Sequence, residues 1–168
     1  MTSRQQKALL LFWHAWLGGG YLVAYLTADE DTYGMHLFSG YVVLAAIVLR
    51  VLVGLVATNS TLLRLPHPKL GDLRDWFPGS RGRHPLFAWI ALVLLIVVGA
   101  AAATGALSDS LMTWLEDPHE AISEASLWII FGHIAFVTFM YGGRKYMKQA
   151  VTRLSERLPF KHVRESDT

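Results

Sequence analysis

The 168-residue chain contains no cysteine. Disulfides, thiolate metal ligands and covalent attachment of haem through a C-x-x-C-H motif are therefore excluded. Charge is also scarce, at 17% Asp, Glu, Lys and Arg, against about 25% in an average soluble domain. What charge there is falls in blocks separated by nearly uncharged runs, while 53% of the residues are hydrophobic and the mean hydropathy is +0.35. No nucleic-acid-binding motif accompanies the basic blocks.

Four stretches, residues 8–27, 36–57, 85–107 and 118–142, each supply the roughly 20 mostly apolar residues that a bilayer crossing requires. In the last of them the apolar run is centred on 122–141. Four such helices in so short a chain leave almost no polar layer with which to build a soluble protein. The fold class expected is all-α: a polytopic membrane protein, a four-transmembrane-helix bundle forming one domain over 1–168, with a basic tail at 143–168.

Charge sets the orientation. Arg4 and Lys7 precede the first span; Arg64, Lys69, Arg74, Arg81 and Arg83 lie between the second and third; Arg144, Lys145, Lys148, Arg153, Arg157, Lys161 and Arg164 follow the fourth. The other two connections hold Asp29, Glu30, Asp31, Asp109, Glu116, Asp117 and Glu120 instead. By the positive-inside rule both termini are cytoplasmic and the acidic loops face outward. The first span is not a cleaved signal: its apolar run is too long, and Leu26 stands where an A-x-A site before Ala28 needs a small residue. The tail, with Tyr146, Met147, Ala150, Val151 and Leu154 as an apolar stripe, is expected to lie along lipid headgroups.

Four histidines then stand out. His14 lies about two turns inside the cytoplasmic end of span 1, His36 at the outer mouth of span 2, His119 at the outer end of span 4, and His133 deeper in it. Fourteen residues separate His119 from His133, about 40° short of four full helical turns and a rise of roughly 21 Å, so one face of span 4 presents imidazoles at two depths. Depth matches His36 with His119 and His14 with His133. Each couple suits one iron held axially between two helices, which points to two non-covalent haems. A zinc site fits less well, since zinc gathers four ligands around one ion whereas these imidazoles form two distant pairs.

Neighbouring residues extend the pattern. Gly18 and Gly40 each lie four positions after a histidine, where a missing side chain clears room for a flat macrocycle or for close helix packing. Arg50 is the one basic residue inside a span; it either pairs with a haem propionate of the inner couple or snorkels to the headgroups. Asp117, Pro118 and Glu120 read as N-cap, N1 and N3 of a capping box that fixes His119. Trp13, Trp16 and Tyr21, or Trp76, Phe77 and His84, could line a quinone site, although interfacial aromatics more commonly form membrane belts. His67 and His162 read as solvated.

These residues carry a resemblance. Phe12-Trp13-His14, the run HLFSGY at 36–41 followed by Arg50, Arg83-His84-Pro85 opening span 3, and His119-Glu120 followed by His133 together resemble the bacterial di-haem b-type cytochromes of the cytochrome b561 and nickel-iron hydrogenase cytochrome b group. The resemblance covers nearly all of residues 8–150. It implies two haems b on His14, His36, His119 and His133, a place in the inner membrane and respiratory chain, and ubiquinone or menaquinone as substrate. It departs from the pattern at Arg83-His84-Pro85, where the group often has a glycine-histidine-asparagine-proline run, which leaves the role of His84 open. The expected function is electron transfer between the quinone pool and a periplasmic cytochrome or other redox protein. The resemblance also implies two alternatives: oxidation of superoxide with electrons passed to quinone, and service as a haem-bearing anchor subunit of a larger oxidoreductase.

Overall fold

The computed structural model describes residues 1–58, 61–69, 71, 85–143, 149, 152 and 153. It contains four long helices: α1 (Ser3–Leu26), α2 (Tyr33–Val56), α3 (Leu86–Ser110) and α4 (Glu116–Thr138). A single-turn 3-10 segment leads into α2 (Glu30–Thr32) and another into α4 (Thr113–Leu115), and a wider π turn, Phe139–Gly143, follows α4. The described residues include no strand. Four segments, Ser3–Leu26, Glu30–Val56, Leu86–Ser110 and Thr113–Gly142, are long and apolar enough to cross a bilayer, and the chain is an all-α, multi-pass membrane protein. Exposed large apolar side chains such as Leu11, Phe38, Leu52, Leu55 and Ile134 are those expected of helices solvated by lipid.

The helices are longer than their apolar runs because local chemistry extends them. Thr2 caps α1: its Oγ1 accepts from the Gln5 amide at 3.3 Å, and the Gln5 Oε1 accepts from the Thr2 amide at 2.8 Å. This capping box starts the helix five residues before the apolar run at residue 8. At the other end of the chain the expected cap is corrected. The Thr113–Leu115 turn runs directly into α4, which begins at Glu116, so Asp117 and Pro118 lie within the first turn and Asp117 is not the N-cap. Proline is tolerated there because first-turn amides have no intrahelical acceptor. Glu116 and Asp117 still complement the positive end of the helix dipole.

Two compact units divide the chain, Met1–Ile129 and Ile130–Thr168. In the first, α1 packs along α2 and α2 along α3. Its core is Trp13 from α1, Val43, Ala46 and Ile47 from α2, and Val98 and Ala101 from α3, joined by Leu63 and Leu115. Trp13 donates its indole N–H to the Ala46 carbonyl at 3.0 Å, tying α1 to α2 inside the apolar layer. Gly20 makes the same interface close: a Cβ there would lie 3.1 Å from Val43 Cγ2. The second unit carries the C-terminal part of α4 from Ile130, with half-buried His133, and the π turn.

Candidate functional site

The C-terminal parts of α1 and α3 and the first turns of α2 and α4 build a site around two imidazoles. His36 opens α2 one turn after its start, and His119 occupies the first turn of α4. Both are half-buried, and their ring centroids lie 6.0 Å apart at an interplanar angle of 68°. The two residues that span depth matched in sequence are thus neighbours in space.

Hydrogen bonds define the state of each ring. His36 Nδ1 lies 2.7 Å from the Ala24 carbonyl on α1, and His119 Nδ1 lies 2.9 Å from the Ala101 carbonyl on α3. A carbonyl oxygen only accepts, so both Nδ1 atoms carry a proton, and in the neutral rings both Nε2 atoms keep a lone pair. Metal-ligating histidines show this arrangement, the second nitrogen donating to a carbonyl that fixes tautomer and orientation. Thr104 Oγ1 lies 3.4 Å from His119 Nδ1 while donating back to the Ala100 carbonyl at 2.8 Å. Tyr33 stacks on His36 at 6.0 Å and 17°.

Helix α3 supplies a seat for His119 that the sequence reading missed. A Cβ on Gly105 would fall 2.8 Å from His119 Cε1 and 3.1 Å from Nδ1, so only glycine lets the imidazole lie against the helix at this point. In the sequence, span 3 stands out only as apolar. Its run of small residues, GAAAATGA at 99–106, was the available signal, and the deciding acceptor is a backbone carbonyl that no side chain announces.

The 6.0 Å separation of the rings is compatible with two imidazoles on one metal ion. Imidazole nitrogens bind first-row metals at about 2 Å, so two rings opposed on one ion have centroids roughly 6 Å apart. Among the described residues, no group of three or more His, Cys, Asp or Glu gathers as a protein-only metal cage would. With Nδ1 of each ring engaged by a carbonyl, Nε2 is the nitrogen that either imidazole could offer to a metal. A Cβ on Gly40, one turn after His36, would meet no atom within 4 Å, and neither would one on Gly18, one turn after His14.

The other predicted residues divide. His14 lies exposed on α1, and His133 is half-buried in the second unit. Arg50 donates from Nη1 to the Leu63 carbonyl at 2.8 Å and from Nη2 to the Arg64 carbonyl at 3.2 Å, with its guanidinium 5.7 Å from the Trp13 ring centre. It thereby fastens the chain after α2 back onto that helix, a role absent from the sequence reading. Gly54 permits this, since a Cβ there would lie 2.5 Å from Leu65 Cγ and 2.9 Å from Arg50 Nη1. Of the suggested quinone-site aromatics, Trp13 is buried in the α1–α2 interface, Trp16 is exposed, and the Tyr21 hydroxyl lies 2.6 Å from Ser126 Oγ. Trp76, Phe77 and His84 lie outside the described residues, as do the tail residues 144–148, 150, 151 and 154–168. His67 is exposed, with Nδ1 2.6 Å from the Leu65 carbonyl. Asp29, Glu30, Asp31, Asp109, Glu116, Asp117 and Glu120 are all exposed, and Asp109 accepts from the Tyr41 hydroxyl at 3.1 Å.

No protein-family model, curated protein or solved structure matches the chain.

Proposed function

We propose that the chain is a bacterial inner-membrane electron-transfer protein that binds two bis-histidine haems b and links the quinone pool to a periplasmic redox partner. The observation that carries this reading is the His36–His119 pair, 6.0 Å apart with each Nδ1 engaged by a backbone carbonyl. Such a haem supplies one-electron chemistry and, with both axial positions filled, offers no open site to oxygen.

The chain's own residues have definable parts in this. Ala24 and Ala101 hold the outer imidazoles by their Nδ1 protons, which raises the basicity of each Nε2. His14 and His133 form the inner couple on helical spacing alone. On α4, His119, Ser126 and His133 recur every seven residues, and on α1 His14 and Tyr21 are also seven apart. Seven residues fall about 20° short of two turns, so each set keeps one face. Arg50 spends two donors on the Leu63 and Arg64 carbonyls and has others with which to meet a propionate at the inner couple. With both termini cytoplasmic, the exposed acidic residues at 29–31 and 116–117 attract a basic soluble cytochrome.

Two kinetic arms test the reading. The purified protein should be reduced by a quinol and reoxidised by a basic soluble cytochrome, with the second rate falling as ionic strength rises. Failure of quinol to reduce a haem-loaded protein would remove the link to the quinone pool. A reoxidation rate insensitive to salt would remove the acidic docking face.

A further inference from the structure

The turn of α1 at residues 21–24 touches both helices that carry the outer imidazoles. Its Ala24 carbonyl accepts from His36 Nδ1 of α2 at 2.7 Å. Three residues earlier, on the same side of the helix, the Tyr21 hydroxyl lies 2.6 Å from Ser126 Oγ and 3.4 Å from the Ser123 carbonyl, both on α4. Ser126 is fully buried, and its hydroxyl donates to the Ser123 carbonyl at 2.7 Å. Its lone pairs are thus turned to Tyr21, and the phenol is the donor. One turn of α1 is a common reference for both ligand-bearing helices.

The outer half of α4 depends on such tethers. Side-chain hydrogen bonds join the residues of α4 up to Ile129 to the other helices, Tyr21 to Ser126 and His119 to Ala101. A hydrogen bond inside a bilayer has no water to replace it. Loosening the Tyr21 tether removes one of these bonds and leaves the α1–α2 and α2–α3 packing in place.

We propose that Tyr21 is a positioning residue that sets the separation of the His36 and His119 imidazoles by holding α4, through Ser126, at a fixed distance from the α1 turn that also anchors His36. This rests on the proposed haem-binding role of the pair, but the geometric part stands apart from it. Removing the tether should leave the chain folded and the inner couple intact while the outer pair opens.

Because the chain has no native cysteine, spin labels can be placed uniquely at Gly34→Cys and Glu120→Cys, exposed positions beside the two histidines. In the full-length protein, electron-electron distance measurements should give a longer and broader distribution in Tyr21→Phe and Ser126→Ala than in the parent. Ser126→Thr, which keeps the hydroxyl, should restore the parent distribution. In unlabelled protein, Tyr21→Phe should weaken retention of one haem about tenfold, the scale on which partners behind a metal ligand act, and shift its low-spin electron paramagnetic resonance signal. Unchanged distances in both Tyr21→Phe and Ser126→Ala would overturn the proposal whatever the haem content. Should Tyr21→Phe not fold, the comparison of Ser126→Ala with Ser126→Thr decides it. A parent protein without haem would instead overturn the proposed function and leave the distance result to be judged on its own.

Discussion

His119 is held by the least conspicuous atoms in the chain, a backbone carbonyl at Ala101 and the absent side chain of Gly105. Gly105→Ala places a methyl 2.8 Å from the imidazole, closer than real Cβ contacts allow, so the ring must leave its seat. The expected outcome is loss of one of two haems, read from the absorbance ratio of purified protein, while Gly18→Ala, which meets nothing within 4 Å in the protein itself, tests whether the space beside His14 serves a ligand. Arg50 makes a different prediction. Arg50→Ala strips donors from the Leu63 and Arg64 carbonyls and ends the contact with Trp13, and it should lower stability by about 1–3 kcal/mol in detergent denaturation. Arg50→Lys keeps the charge without the planar fork and should recover only part of that. The histidines were legible in the sequence because an imidazole in an apolar run is costly enough to be noticed. Their carbonyl partners were not, because every residue has a carbonyl and only the fold selects which one faces a ring.

At the scale of elements, uncharged runs announced the four helices, and capping chemistry then moved their ends. Thr2 and Gln5 carry α1 outward beyond its apolar run, and the Thr113–Leu115 turn carries the start of α4 back to Glu116. The Asp-Pro pair at 117–118 suggested a start because both residues favour helix entrances. The preceding turn already supplied the entrance, so the pair serves inside it. Helix pairing had a weaker sequence signal, since apolar side chains lack direction in lipid. Association there depends on close packing and scattered hydrogen bonds. Trp13 is such a bond for α1 and α2: Trp13→Phe should cost about 0.6–1.7 kcal/mol, the range of interhelical hydrogen bonds in membranes. Ala46, on the other side, is fully buried, and any larger residue there should separate the same two helices.

Among the described residues, polar contacts join α1 to its neighbours at two levels of the first unit. At the cytoplasmic end of the proposed topology Gln6 accepts from the Leu62 amide at 3.0 Å and Arg50 holds Leu63 and Arg64. Near the outer end, Tyr21 and Ala24 meet α4 and α2. That topology is directly testable: in a chain without native cysteine, Asp31→Cys should react with an impermeant thiol reagent in intact cells, and Lys69→Cys only after the membrane is opened. Reaction at the opposite sides would invert the molecule and exchange the outer and inner couples. Whether His36 and His119 clamp a haem is decided by the haem-to-protein ratio of the purified full-length chain, measured beside His36→Ala and His119→Ala. Two haems b are expected in the native protein and one in each variant; native protein without haem, or variants that keep both, would overturn the proposed clamp.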